Sequence, residues 1–332
     1  MPTTELRLSR YSLALYLIAL IVFFAVLTDG RFVEGRNLVN ILLQSAINTI
    51  LAVGMTLVII TGGIDLSVGS VLALCGLVGT DIMMNGLVLG GRTLVPKPDL
   101  SLGVVIAVVT SCLLGTLIGW WNGWLIARWN VAPFITTLAT MTIARGAAFV
   151  YSDGKPVGNL PDAFNRLGGG AGGEVLGIPV PVWIAIFVAL CALILLQVTH
   201  FGRSIYAVGG NEQAARLSGV DVAKVKIAVY VLSGFLAGLC GIVQAARLGA
   251  GDPKYGEMYE LNAIAAVVLG GASLAGGRGG VGGTAVGAVL IGALDNGLVM
   301  AGVSAFYQKV VKGVVILLAV LGDVWQRRHN KT

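Results

Sequence analysis

Charged residues are scarce in this chain. Only 11% of its 332 residues are Asp, Glu, Lys or Arg, whereas soluble proteins average about 25%. Hydrophobic residues make up 56%. The ten-residue alternating segments of a membrane β-barrel are also missing. This pattern excludes an ordinary soluble domain and predicts an all-α membrane protein.

The sequence also lacks the motifs of common enzyme and metal sites. There is no G-x-S-x-G, no H-E-x-x-H and no P-loop G-x-x-x-x-G-K-[ST]. We therefore expect no enzyme activity, no cofactor and no metal, and any ATP energy must come from another chain. Four cysteines lie singly in apolar runs, which predicts packing residues and not disulfides: Cys75, Cys112, Cys191 and Cys240.

The formal net charge of +6 does not predict nucleic-acid binding. The Lys and Arg residues lie in short loops and in the tails, which is typical of basic flanks that face the cytoplasm and anionic lipid. Both tails are basic, with Arg7 and Arg10 near one end and Arg327 and Arg328 near the other. The charges predict that both termini are cytoplasmic.

About ten stretches are apolar enough to cross a bilayer as helices, some of them short or broken. They are 11–28, 38–61, 65–84, 102–127, 132–151, 180–199, 226–247, 260–276, 282–302 and 306–325. An even number of spanning helices places both termini on the same side of the membrane, in agreement with the two basic tails. We predict a single transmembrane domain over residues 1–332.

Two loops are long. Residues 152–179 are rich in Gly and Pro and are predicted to face the periplasm. Residues 200–226 are predicted to be cytoplasmic and to contain a short helix, with Asn211 as its N-cap, Glu212 in its first turn and Gly219 as its stop. Such a helix has the shape of a docking element, but an ordinary solvated connector fits the pattern too.

Polar residues within apolar spans are the candidates for function. A charged side chain at the centre of a membrane helix costs about 2.5–3.5 kcal/mol, so it usually faces a cavity or a partner. The candidates for a translocation path are Asp65, Ser67, Asn48, Asn122, Asp295 and Asn296. For Asp65 there is a second interpretation, since Gly62 and Gly63 end one helix and Asp65 can cap the next.

A weak internal similarity links TGGIDLSVG (61–69) to LGGASLAGG (269–277). Each copy interrupts an apolar run with a glycine pair. Broken segments at matching places often line a transport path, although such a similarity also arises by chance in glycine-rich helices.

Three stretches together resemble the ribose-type branch of bacterial ABC importer permeases, which carries monosaccharides. They are AVGMTLVIITGGIDLSVGSVLAL, GRSIYAVGGNEQAARLSGV and ELNAIAAVVLGGASLAGGRGGVGGT. The resemblance covers residues 37 to 321 and is greatest with the ribose carriers of the branch. It implies a multi-pass permease of the bacterial inner membrane that forms the path for ribose or a similar sugar.

The resemblance also implies partners: a cytoplasmic ATP-binding subunit, a periplasmic sugar-binding protein and a second permease copy, identical or similar. ABC permeases commonly carry an Ala-Ala-x-x-x-Gly-like signature in the loop that contacts the ATPase. EQAARLSG is similar to it, which implies a coupling role for Asn211, Glu212, Ala214, Ala215 and Gly219.

The chain departs from the family pattern at two places within spans. Asn262 stands where the family often has Asp, and Asp295-Asn296 stands where it often has paired asparagines. A shifted sugar preference is therefore left open. Two other function classes also remain open, an ion-coupled secondary sugar transporter that uses Asp65 and Asp295, and a membrane scaffold without transport.

Overall fold

The computed structural model describes residues 3–89, 92–95 and 97–329. Thirteen α-helices account for most of this part of the chain. They are α1 (Thr3–Leu27), α2 (Gly35–Ile60), α3 (Val68–Asn85), α4 (Leu100–Arg128), α5 (Pro133–Ser152), α6 (Asp162–Asn165), α7 (Val180–Val198), α8 (His200–Gly210), α9 (Glu212–Leu217), α10 (Val222–Leu248), α11 (Tyr259–Leu269), α12 (Val281–Met300) and α13 (Ala305–His329).

Two short 3₁₀ helices, Arg31–Val33 and Arg166–Gly168, and two short hairpins also lie between the long helices, and the hairpins were not predicted. Strand β1 (Leu87–Leu89) pairs antiparallel with β2 (Arg92–Val95), and β3 (Glu174–Val175) pairs antiparallel with β4 (Ile178–Pro179). Both lie in connections between long helices, so the class remains all-α.

Among the described residues, eight helices are long and apolar enough to cross a membrane. They are α2, α3, α4, α5, α7, α10, α12 and the Ala305–Gly322 part of α13. Two shorter apolar stretches, Leu15–Leu27 and Tyr259–Leu269, match the other two predicted spans. The predicted spanning helix over 260–276 is therefore wrong in its length.

The reason for the short α11 is its glycine-rich continuation. Gly271 and Gly276 adopt positive φ angles of 87° and 84°, which end the helix at Leu269 and turn the chain. Eleven residues rise only about 16 Å, against a hydrocarbon core of about 30 Å. The helix α11 thus crosses about half of that thickness.

The chain divides into two compact units. Unit 1 comprises Met1–Gly62, Ala185–Ser218 and Leu261–Thr332, and unit 2 comprises Gly63–Ile184 and Gly219–Glu260. The chain passes from unit 1 to unit 2 within the glycine pair Gly62-Gly63.

Unit 1 is built on the packing of α12 against α2. The hydroxyl groups of Thr56 and Thr284 lie 2.8 Å apart across this contact, and Gly292 packs directly on Ser45. A buried apolar cluster joins α1, α2 and α12, and it consists of Phe24, Phe32, Ile41, Ala293, Leu294 and Leu298. Farther along, Lys312 of α13 pairs with Asp295 of α12 at 3.0 Å.

Unit 2 is built on close contact between α4 and α10. On α4, Gly115 and Gly119 lie against the backbone of Gly234 and Tyr230 on α10. Small residues allow helix backbones to approach in lipid, where dispersion forces and not water drive association. The helix α3 joins α10 in the same way, through Gly76 and Gly241.

A glycine substitution tests this packing. A Cβ at Gly234 would overlap the carbonyl oxygen of Gly115, so Gly234→Ala should destabilise unit 2 by about 1–3 kcal/mol through overpacking. We expect a lower thermal unfolding midpoint in detergent. The control is Gly146→Ala on α5, where a Cβ meets no atom within 4 Å. Equal midpoints for the two variants would contradict the packing argument.

Candidate functional site

The interruption between α2 and α3 carries the buried carboxylate Asp65, which is 1% exposed. Its Oδ1 accepts hydrogen bonds from the backbone N–H of Ser67 at 3.0 Å and from the Ser67 hydroxyl at 2.6 Å. Its Oδ2 accepts a hydrogen bond from the Ser233 hydroxyl on α10 at 2.8 Å. Asp65 therefore holds the turn before α3 through the backbone N–H of the N-cap residue Ser67. Because no side chain accepts a capping hydrogen bond from the first turn of α3 itself, the predicted cap of α3 by Asp65 is wrong.

A chain of hydrogen bonds extends from this carboxylate. Asn122 of α4 donates from Nδ2 to the Ser67 hydroxyl at 3.0 Å, and Thr140 of α5 donates to Asn122 Oδ1 at 2.6 Å. We call Asp65, Ser67, Asn122, Thr140 and Ser233 the Asp65 network. All five side chains are buried, so the network joins α3, α4, α5 and α10 inside unit 2.

The same interruption leaves the carbonyl oxygen of Ile64 without a helical partner. The Tyr230 hydroxyl on α10 donates to it at 3.2 Å, and Tyr230 itself is 1% exposed. A buried carbonyl without a partner costs free energy in lipid. The Thr137 hydroxyl of α5 also donates to this carbonyl, at 3.3 Å, so Tyr230 and Thr137 together replace the hydrogen bond that the helix no longer provides.

The remaining path candidates lie in unit 1, on α2 and α12. Asn48 and Asn296 are both 5% exposed. The carbonyl oxygen of the Asn296 side chain and the hydroxyl of Ser45 find no hydrogen-bond partner among the described residues. One oxygen of Asp295 is occupied by Lys312, and the other is unpaired within the described part. The seam of α2 and α12 therefore contains spare hydrogen-bond acceptors.

Unit 1 also contains α8 and α9, which follow the apolar helix α7. Thr199 caps α8 by accepting a hydrogen bond from the N–H of Gly202 at 3.0 Å. Asn211 caps α9 by accepting one from the N–H of Ala214 at 3.0 Å. After α9 ends at Leu217, Gly219 adopts a φ of 84°. The predicted helix start at Asn211 and stop at Gly219 are both confirmed.

The two faces of α9 differ. Ala215 is buried at 5% exposure, whereas Leu217 is 90% exposed. Ala214 is exposed, and an ion pair of 3.2 Å joins Glu212 to Arg216 on the surface. An apolar side chain held out on a capped, rigid helix is suited to insert into a partner.

The chain beyond α9 is anchored by a second cap. Asp221 accepts a hydrogen bond from the backbone N–H of Lys224 at 3.1 Å, at the start of α10. This backbone hydrogen bond and the Lys224 side chain lower the pKa of Asp221. The carboxylate thus stays ionised and favours the positive end of the helix dipole.

Several side chains of these sites were missed from the sequence. Thr140, Ser233 and Tyr230 lie in other spans and have no local signal that links them to Asp65. Leu217 was overlooked although it is the large apolar residue at the end of the predicted short helix. Its position after a polar, capped turn is a signal that sequence reading can use.

The chain is similar to known transport permeases. The model of a family described as branched-chain amino acid transport system, permease component, matches residues 37–320. The ribose import permease protein RbsC of Escherichia coli K12 is 48% identical over 310 residues, which cover 92% of each chain. RbsC of Bacillus subtilis is 46% identical over 311 residues, which cover 94% of this chain and 91% of the relative.

A second sugar permease is also similar. The xylose transport system permease protein XylH of Escherichia coli K12 is 34% identical over 384 aligned positions, covering 98% of this chain and 94% of XylH. No solved structure matches the chain.

The Asp65 network yields a prediction about stability. The variant Asp65→Ala removes the acceptor for three donors, and burying unpaired polar groups costs about 1–3 kcal/mol. We expect a clearly lower unfolding midpoint in detergent. The control is Asp153→Asn, because the Asp153 side chain is 87% exposed in a surface ion pair and asparagine tolerates the positive φ of 51° at this position. If both variants unfold at the same temperature, the network does not hold the helices together.

Proposed function

The chain belongs to the family of branched-chain amino acid transport system permease components, and we propose that within this family it is the membrane-spanning subunit of a monosaccharide ABC importer. As a family member it is a transport permease of the bacterial inner membrane that crosses the bilayer several times. Ribose is the first candidate substrate.

The observation that carries the sugar assignment is the similarity to the ribose permeases. Identity of 46–48% extends over more than nine-tenths of this chain, and the xylose permease is similar over a comparable share. The family description names amino acids, but the relatives at these identities are named for pentoses. A neutral sugar needs hydrogen-bonding groups without net charge, and the polar residues of α2 and α12 can provide them.

Nothing in the described residues favours an ion-coupled transporter. Asp65 is occupied by three hydrogen-bond donors, and Asp295 pairs with Lys312. Both carboxylates thus already have partners in the protein, with one oxygen of Asp295 unpaired among the described residues.

Partners follow from the family. A permease of an ABC importer works with an ATP-binding subunit and a periplasmic binding protein, and this chain carries no P-loop of its own. We further propose that two copies form the path, that both termini and residues 200–226 are cytoplasmic, and that residues 152–179 are periplasmic.

We assign the contact with the ATPase to α9. Support comes from the rigid capping by Asn211, from the exposed Leu217 and from the Glu212–Arg216 ion pair. Because Ala215 is buried, its role is to pack the inner side of α9 against the protein, and the positive φ of Gly219 lets the chain turn after the helix. Ala214 belongs to the exposed contact face.

Path lining by Asn48, Asp295 and Asn296 is also a proposal. The unpaired acceptors on Ser45 and Asn296 support it, because sugar hydroxyls are donors. The lining role of Asp65, Ser67 and Asn122 stays a prediction, and their hydrogen bonds within unit 2 give them a structural task in addition.

Leu217 gives a sharp test of docking. With Leu217→Asp, an immobilised ATP-binding subunit should capture the permease at least ~10-fold less well, since truncating an anchor in a desolvated pocket typically costs about 2 kcal/mol or more. The matched control is Leu176→Asp, since Leu176 is 88% exposed in the predicted periplasmic loop. Equal capture of wild type and Leu217→Asp would exclude α9 as the contact.

The substrate assignment is tested with proteoliposomes. The permease, ATP-binding subunit and sugar-binding protein are reconstituted, and uptake of radiolabelled ribose is measured with ATP on the cytoplasmic side. We expect uptake that requires all three proteins and that unlabelled leucine does not reduce. Uptake by the permease alone, driven by a proton or sodium gradient, would overturn the ABC assignment. Uptake of leucine in place of ribose would overturn the sugar assignment.

A further inference from the structure

The helix α8 contacts two places in unit 1 where a helix ends, namely the end of α2 and the turn that follows α11. Gly277 donates its N–H to the carbonyl oxygen of Ile60, the last residue of α2, at 2.8 Å. Gly209 of α8 lies directly against this carbonyl and against Gly277. The end of α2, the turn after α11 and the end of α8 therefore meet at one point.

A side-chain hydrogen bond strengthens this contact. The Tyr206 hydroxyl on α8 donates to the carbonyl oxygen of Gly279 at 2.8 Å. Burial raises the pKa of Tyr206, so the hydroxyl keeps its proton and acts as a donor. Tyr206 and Gly209 thus attach α8 to both ends of the segment Gly277–Gly279.

The backbones in this contact are packed too closely for any side chain to fit between them. A Cβ on Gly209 would overlap the Ile60 carbonyl, and a Cβ on Gly276 would crowd the Gly209 carbonyl and the backbone of Gly62. Backbones packed this closely move together, because no flexible side chain lies between them. Only Asn211 separates the end of α8 from the start of α9. A displacement of α9 therefore reaches the contact at Gly209 through less than two turns of helix.

We propose that Tyr206 is a positioning residue that couples α8 and α9 to the turn formed by residues 270–280. Gly209 provides the close backbone contact. The hydrogen bond from the Tyr206 hydroxyl to Gly279 makes the turn move when α8 moves. The inference rests on the proposed function, because it assumes that the ATP-binding subunit moves α9. It adds the route by which that motion reaches α2 and α12, namely the Ile60 carbonyl and the residues just before Val281.

The alternative is that Tyr206 only fills space. The variant Tyr206→Phe separates the two, since it keeps the ring and removes only the donor. A space-filling residue would tolerate this change in every assay. A positioning residue should lose coupling while the ATPase contact on α9 remains.

The experiment measures ATP hydrolysis and ribose uptake together in proteoliposomes that hold permease, ATP-binding subunit and sugar-binding protein. For Tyr206→Phe we expect normal capture of the ATP-binding subunit, hydrolysis within twofold of wild type and about 3- to 10-fold less ribose taken up per ATP, in line with one lost hydrogen bond. The control is Tyr307→Phe, because Tyr307 is 70% exposed. An unchanged uptake-to-hydrolysis ratio in Tyr206→Phe would overturn the proposal.

A labelling experiment reports the motion directly. Ser273 is 7% exposed within the turn, and Ser273→Cys is introduced together with Cys191→Ser, which removes the exposed native thiol. In the complex, ATP binding should change the rate of maleimide labelling at position 273 at least threefold, and Tyr206→Phe should abolish the change. The same nucleotide response with and without Tyr206→Phe would contradict the coupling.

Failure of the proposed function and failure of the Tyr206 role would give different results. If the wild-type permease neither captures the ATP-binding subunit nor takes up ribose, the proposed function is wrong. If the wild type does both, and Tyr206→Phe matches it in coupling ratio and labelling, only the role of Tyr206 is wrong. Reduced capture by Tyr206→Phe would also count against it, since the hydroxyl would then support the docking surface itself.

Discussion

Lipid offers no hydrogen bonds, so every backbone group that leaves a helix inside the membrane needs a partner from the protein. At the interruption after α2, the carbonyls of Ile60 and Ile64 accept hydrogen bonds from distant parts of the chain. Gly277 donates to Ile60 in unit 1, and Tyr230 donates to Ile64 in unit 2. The break is therefore stabilised by specific contacts on both sides, and it connects distant parts of the chain instead of loosening them.

Close backbone packing is the second condition of this architecture. The contacts of Gly115 with Gly234 and of Gly209 with Ile60 leave no room for a methyl group. Such contacts let short-range dispersion hold apolar helices together. They also bring polar side chains such as Asn122 and Ser67 within hydrogen-bond distance. The glycines thus bring the helices close enough for the side chains of the Asp65 network to form hydrogen bonds.

Local patterns in the sequence predicted much of this. Long apolar runs predicted most of the spans, and the cap at Asn211 and stop at Gly219 have local chemistry that sequence shows directly. The half-length α11 was missed because the glycine pair Gly270-Gly271 was used only as evidence of an internal similarity, while the small residues after it are apolar enough to extend the predicted span. The partners of Asp65 could not be found, since Ser233 lies 168 positions away and only the packing of α10 brings it close. The exposure of Leu217 likewise depends on how α9 is seated.

The ion pair between Asp295 and Lys312 bears on how the chain enters the bilayer. Each charge alone at the centre of a membrane helix would cost about 2.5–3.5 kcal/mol during translocon-mediated insertion. The two residues belong to consecutive helices with a short connection, Ala301 to Ser304. A helical hairpin in which Asp295 and Lys312 pair presents the lipid with no net charge, which lowers the cost of inserting these two helices together.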